Sequence, residues 1–184
     1  MSQEYEEMLV DIAETMRSRF YGKYRGTVVD VKDPDSLGRI TANVPEVLYE
    51  ETSPWALPAV PFAGPSHGLV LIPEVGDGVW IEFEAGDPSR PIWTGGWWAK
   101  NELPKPGDPE VRVLVTSKGH QLVFDDKNKE IKIVHSGGAE IKMTDSDVGV
   151  TIGSTEVTMT KSDLTLKVGS SAKLKMSSSG TEIS

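Results

Sequence analysis

The spacing of apolar residues changes twice along the chain. Over residues 4–20, Tyr5, Met8, Leu9, Ile12, Met16 and Phe20 recur at steps of three and four, which predicts one amphipathic helix. Ser2 stands where a cap would. Glu4, Glu6 and Glu7 suit the positive end of the helix dipole, and Arg17 and Arg19 suit the other. The apolar stripe has two possible destinations. It packs on the domain that follows, or it docks on a partner ring through Tyr5, Met8, Leu9, Ile12 and Met16.

From Tyr24 the period becomes two, the signature of strands. Tyr24–Val31 and Arg39–Val44 flank the turn formers Asp33-Pro34-Asp35-Ser36-Leu37-Gly38 and read as a hairpin. After a proline-rich loop, Gly68–Pro73 and Gly78–Glu84 surround a turn at Glu74–Asp77, and Pro91–Trp98 follows. Five short strands in this span predict a small closed barrel of the oligonucleotide/oligosaccharide-binding (OB) type.

Past residue 112 the alternation becomes a repeat. Runs at Gln121–Phe124, Glu130–Val134, Glu140–Met143, Val148–Ile152, Glu156–Met159, Leu164–Val168, Lys173–Met176 and Glu182–Ile183 are split by Ser, Gly, Asp and Lys. Each run sends alternate apolar residues to one side. These are Ile131 and Ile133; Ile141 and Met143; Val150 and Ile152; Val157 and Met159; Leu164, Leu166 and Val168; Leu174 and Met176. No aromatic residue follows Phe124 to roof this face. A lone meander of this kind buries neither its face nor its edges. Three chains wound about one axis solve both problems: each strand pairs with neighbouring chains and every apolar face points inward. A single-chain solenoid is the competing solution, and it needs capping ends.

The resulting layout is mainly β. A helix at residues 1–22 precedes an OB-like barrel at 23–100. A linker at 101–112, rich in proline, leads into a trimeric triple-stranded β-helix, or prism, at 113–184. Charge agrees with this division: residues 1–110 hold nine basic and nineteen acidic residues, whereas 111–184 hold ten and nine. An acidic barrel repels a phosphate backbone, which argues against nucleic acid as partner. There is no cysteine, so disulfide frameworks, thiolate metal sites and cysteine nucleophiles are excluded. No run is long and apolar enough for a membrane helix. The N-terminus has no secretory pattern, so cytoplasmic assembly is expected.

Three stretches carry a resemblance to a known family. They are Ser36-Leu37-Gly38-Arg39-Ile40, Pro73-Glu74-Val75-Gly76-Asp77-Gly78-Val79-Trp80-Ile81-Glu82-Phe83, and Gly86-Asp87-Pro88-Ser89-Arg90-Pro91-Ile92-Trp93-Thr94-Gly95. Together they are similar to the barrel of contractile-tail spikes: VgrG-type spikes of type VI secretion, the cell-puncturing spike of T-even phages, and phage baseplate assembly protein V. Thr116–Asp126 resembles the passage from that barrel into the prism. The resemblance implies a structural spike, not an enzyme, in a tail or injection-particle baseplate, driven into a target-cell envelope. It implies no cofactor. Only the linker stands where the T-even spike carries a lysozyme domain, so muralytic activity is not implied. Only the helix precedes the barrel, so a separate hub protein is implied. The C-terminal segment, with Thr181 and Ile183, lacks a His-x-His tip, which implies a separate PAAR-type cap.

Other candidate residues have local readings. Gly38, Gly76, Gly78, Gly86 and Gly95 are expected in tight or left-handed turns. Asp77 and Asp87 would cap turns, and Arg90 would pair with Asp87 or with a neighbouring chain. Trp93, Trp97 and Trp98 are expected at barrel–barrel contacts. The alternative is a trimeric stalked OB module that binds glycan or nucleic acid on those rings. His67, His120 and His135 are too dispersed for a metal site, and His135 is expected to point outward. Adjacent Asp125 and Asp126 face opposite ways, which disfavours paired-carboxylate catalysis.

Overall fold

Alternating runs broken by turn formers commit a chain to strands. The computed structural model, which describes residues 3–184 with side chains from Tyr5 onward, is accordingly mainly β. The expected cap at Ser2 and the Glu4 side chain lie outside the described residues. Two compact units form, Met1–Asn101 and Glu102–Ser184.

The first unit opens with helix α1 (Gln3–Ser18). Strands β1 (Tyr24–Asp30) and β2 (Thr41–Asn43) follow, then a single helical turn α2 (Pro45–Leu48). The remaining strands are β3 (Leu57–Pro58), β4 (Ala63–Gly64), β5 (His67–Gly68), β6 (Gly78–Phe83) and β7 (Pro91–Gly96). A five-stranded sheet curls in the order β2-β1-β6-β7-β3. Alternation on β6 buries Val79, Ile81 and Phe83. They meet Val28, Ile40, Ala42, Val44, Val47, Ala56 and Trp93 in one core. Gly26 faces this core where a Cβ would stand 3.1 Å from Ile81 and 3.3 Å from the Asn43 carbonyl, so only glycine fits without a shift.

Three expectations are corrected here. Gly68–Pro73 is not a sheet strand: residues 61–72 are exposed throughout, and only His67–Gly68 pairs, with Ala63–Gly64. Leu57–Pro58 takes the fifth place instead, parallel to β7. Proline is tolerated on such an edge because that side of the strand asks for no N–H. Trp93 is 6% exposed and belongs to the barrel core, its indole N–H donating to the Gly38 carbonyl at 3.1 Å. Phe20 leaves the helix stripe. The helix ends at Ser18, and Phe20 packs edge-on against Tyr24 and Phe83 while its N–H donates to the Gly86 carbonyl.

The second unit is one nine-stranded antiparallel sheet in chain order. Its strands are β8 (Val111–Val115), β9 (Gln121–Asp125), β10 (Glu130–Val134), β11 (Glu140–Met143), β12 (Asp147–Ile152), β13 (Thr155–Thr160), β14 (Asp163–Val168), β15 (Ala172–Ser177) and β16 (Gly180–Ile183). The sheet thus begins inside the expected linker. Every strand pairs with its sequence neighbours. Within one copy the ladder bonds run between sequence neighbours, because the tight turns bring consecutive strands together at once.

Candidate functional site

Strand register decides which residues share a face. Ile133, Ile141, Val150, Val157, Leu166, Leu174 and Ile183 stand opposite one another in succession across β10 to β16. Ile131, Met143, Val148, Met159, Leu164 and Met176 form a second column. Directly opposed residues lie on one side of a sheet, so both columns belong to one apolar face. Ile152 and Val168 flank it at strand ends, opposite Thr155 and Ala172. The face also extends beyond the residues expected from the sequence. Leu122 and Phe124 of β9 oppose Ile133 and Ile131, and Leu114 of β8 opposes Leu122. Leu122 and Phe124 belong to the expected run Gln121–Phe124, but only the register places them on this face.

None of this face is buried. Ile133 is 50% exposed, Ile152 64% and Ile183 82%, and among the described residues of the second unit only Val123 is buried. The opposite face is polar and self-paired. Glu130 holds Lys132 and Lys142, both at 2.6 Å, and Asp163 holds Lys175 at 3.1 Å. Those lysines, Lys132 first, keep the Glu130 carboxyl below its ordinary range, and Glu130 in turn raises Lys142. Exposed pairs of this kind add little stability. A sheet with one satisfied face and one bare apolar face is half of a two-layer structure.

The helix is bare as well. Every described side chain of α1 from Tyr5 to Ser18 is exposed, including Tyr5, Met8, Leu9, Ile12 and Met16. Of its two possible destinations, packing on the chain's own barrel is not the one adopted. The residue just past its end is nonetheless anchored: Arg19 donates to the Ala85 carbonyl at 3.4 Å and lies 3.8 Å from Asp87.

The barrel turns are built as capped corners. Gly38, Gly76 and Gly86 have φ of 74°, 96° and 76°, which glycine adopts at little cost. Gly95 is also left-handed. Gly78 is not: it lies in β6, where a Cβ would stand 2.6 Å from the Trp97 ring. Asp77 accepts the Glu74 N–H at 2.8 Å. Asp87 accepts the Ser89 hydroxyl and N–H, which hold its carboxyl below the usual range. Arg90 pairs with Glu84 at 2.5 Å rather than with Asp87.

One corner residue escaped the sequence reading, where Asp33 counted only as a turn former. Its carboxylate, 5% exposed, takes Arg39 at 2.9 and 2.6 Å and the N–H groups of Asp35, Leu37 and Arg39. Arg39, which also pairs with Asp35, holds the Asp33 carboxyl far below the carboxylate range. A depressed carboxylate stabilises the fold above its unfolded-state pKa, and that stability is lost as pH falls towards the folded value. Asp33→Asn should therefore lower the melting temperature at pH 7. The gap to the parent should narrow by about pH 2.5, below the ordinary Asp range; parallel melting curves at both pH values would contradict this.

Remaining candidates separate. Trp97 is half-buried, with its N–H on the Val79 carbonyl at 3.1 Å, and Trp98 is 64% exposed. Arg25 lies over both Trp80 and Trp97, at 5.7 and 5.2 Å from the ring centroids, so a cation occupies one face of each ring. Asp125 caps the turn at Asn128, while Asp126 pairs with Arg112. His67 sits in the exposed hairpin β4–β5. His120 and His135 stand side by side, on the same side as Ile133; the outward placement expected for His135 is thus corrected, since it shares odd parity with Ile131 and Ile133. Among the described residues, no group of three or more His, Cys, Asp or Glu is placed to hold a metal ion. No described helix is long and apolar enough to cross a membrane. Thr181 and Ile183 lie on edge strand β16, opposite Met176 and Leu174.

Comparison with known proteins bears on this arrangement. Residues 24–98 match the family described as the type VI secretion system/phage-baseplate injector OB domain. A Vibrio cholerae protein described as actin cross-linking toxin VgrG1 is 30% identical over 115 residues, 55% of this chain and 10% of that protein. A second from the same species, type VI secretion system spike protein VgrG3, is 32% identical over 105 residues, 50% of this chain and 10% of that protein. The chain thus aligns with about a tenth of the length of these relatives.

Proposed function

We propose that this protein, whose residues 24–98 match the injector OB domain of type VI secretion systems and phage baseplates and about half of which is similar to VgrG proteins, is a non-enzymatic central spike. Three copies close their apolar sheet faces on one another to form the rod that a contracting sheath drives into an envelope. One observation carries the reading: directly after a barrel that matches the injector domain comes a nine-stranded sheet whose apolar face is half-buried or exposed throughout. At about 1.5–3 kcal/mol for each fully buried Leu, Ile, Val or Met, that face is the largest unspent source of stability in the chain. Covering it with two further copies also buries it without free loops.

In this reading α1 fastens the spike to a separate hub protein through Tyr5, Met8, Leu9, Ile12 and Met16. The last strand, with Thr181 and Ile183, offers its open edge to a cap of the PAAR type. The barrel serves as a spacer with stiff, capped corners. The location is the tail or injection-particle baseplate. A glycan- or nucleic-acid-binding module is disfavoured by the Arg25 guanidinium on Trp80 and Trp97 and by the acidic charge of residues 1–110.

Light scattering tests the assembly. The full chain should have a mass of about 60 kDa, three times 20.0 kDa, and a 20 kDa species at micromolar concentration would sink the reading. Hub docking has its own test. Met8→Asp with Ile12→Asp should leave barrel melting unchanged, since both side chains are exposed. The same variant should be missing from purified baseplates or injection particles when these are immunoblotted; normal recovery would free the helix of that role.

A further inference from the structure

Beyond the last ladder pair of β9 and β10, Gln121 with Val134, two imidazoles meet. The rings of His120 and His135 have centroids 4.5 Å apart and are tilted by 50°. They share a shallow groove with Leu114, Leu122 and Ile133, which puts them on the apolar face. The turn that follows β10 is folded onto them. Ser136 N–H donates to Nδ1 of His120 at 3.3 Å, and Gly137 N–H donates to Nδ1 of His135 at 2.9 Å. A Cβ on Gly137 would stand 3.0 Å from that same nitrogen, so the ring and the turn are closely fitted.

An imidazole nitrogen accepts a hydrogen bond only while it carries no proton. Both Nδ1 atoms accept here, so the geometry specifies two neutral rings, each with its proton on Nε2. We propose that this pair makes spike assembly acid-sensitive, with protonation of His120 and His135 loosening the packing of the three sheets at the N-terminal end of the rod. The inference rests on the trimeric spike proposed above.

Protonation acts here in three ways. It removes both acceptors from the turn, leaving the Ser136 and Gly137 N–H groups facing N–H donors. It sets like charges side by side. It also charges a face that assembly must bury, on three chains at one level, where desolvating an unpaired cation is costly. Nothing in the groove offsets this: Thr116, Gln121 and Val134 complete its lining, and none of them titrates. Lys118, in the adjoining turn, has the same sign. Glu140 of β11 stands opposite Val134, on the other face of the sheet. Histidine is the side chain whose ordinary titration lies between about pH 5 and 8, which sets the range of the test.

The test uses the full chain, followed by light scattering and thermal melting of the second unit between about pH 8 and pH 5.5. The parent trimer should melt at least about 5 °C lower at the acid end. His120→Gln with His135→Gln, which keeps a neutral acceptor at each site, should lose most of that dependence. A parent curve that is flat with pH, or a double variant that falls as steeply as the parent, overturns the inference. Should the double variant fail to fold, ring nitrogen shifts of the parent by NMR decide instead: the Nε2–H tautomer at about pH 8 supports the proposal, and the Nδ1–H tautomer refutes it. A monomer already at about pH 8 overturns the trimer itself, a different result from a trimer indifferent to acid.

Discussion

Val157→Asp is expected to abolish the proposed assembly, leaving a species near 20.0 kDa where the parent should give about three times that mass. Val157 stands in the middle of the first apolar column, directly between Val150 and Leu166. In the proposed rod that column lies against two further copies. A carboxylate there has no basic residue beside it on the face, so its burial costs several kcal/mol per chain even after relaxation. Three copies multiply the penalty, and the apolar contact of three valines is lost as well. Ile152 is a weaker site for the same test. It lies at the end of β12 opposite Thr155 and is 64% exposed, so a charge there can turn towards solvent. The barrel should be indifferent to the Val157 change, and its tryptophan-monitored melting should stay in place. A Val157→Asp protein of unchanged mass would show that this face is not where the copies meet.

The second large effect is expected in the barrel. Ile81→Ala should destabilise it by about 2–5 kcal/mol, the range for removing a fully buried branched side chain. Ile81 is 0% exposed, pairs with Tyr24 on one side and Trp93 on the other, and packs over Gly26. Its neighbours are poorly placed to fill the space. Gly26 brings no side chain, and Trp93 is held by its bond to the Gly38 carbonyl. For a domain of this size the loss corresponds to a fall of about 10 °C or more in melting temperature. Circular dichroism of residues 1–101 would measure it, and a shift below about 3 °C would mean that the core collapses around the gap.

How legible the fold was in the sequence depended on how local the deciding interactions are. The sheet from β9 to β16 was readable almost strand by strand, because alternation and turn formers are properties of adjacent residues, whereas β8 fell partly in the expected linker. The fifth strand of the barrel was not. Leu69–Ile72 looks more like a strand than Leu57–Pro58 does, yet the edge beside β7 went to the latter through a long-range pairing that no local pattern records. Trp93 misled for the same reason: whether an aromatic ring faces its own core or a neighbour depends on a curl of the sheet that composition does not encode. The Asp33–Arg39 corner could have been found. Two aspartates bracketing a proline turn, with an arginine closing it, supply both a charge and the N–H groups to surround it. For the apolar face of this sheet, alternation was readable but extent was not, since Leu114, Leu122, Phe124 and Val148 join it only through register.

Pairing between sequence neighbours alone has a consequence for how the proposed rod would change over time. Each strand adds about 4.8 Å along the stacking direction. A duplicated or deleted hairpin would therefore alter reach by about 9.6 Å while leaving cross-section and facing parity unchanged. Length is the cheapest dimension for this molecule to vary: a lineage meeting a thicker envelope needs two more strands, not a new shape.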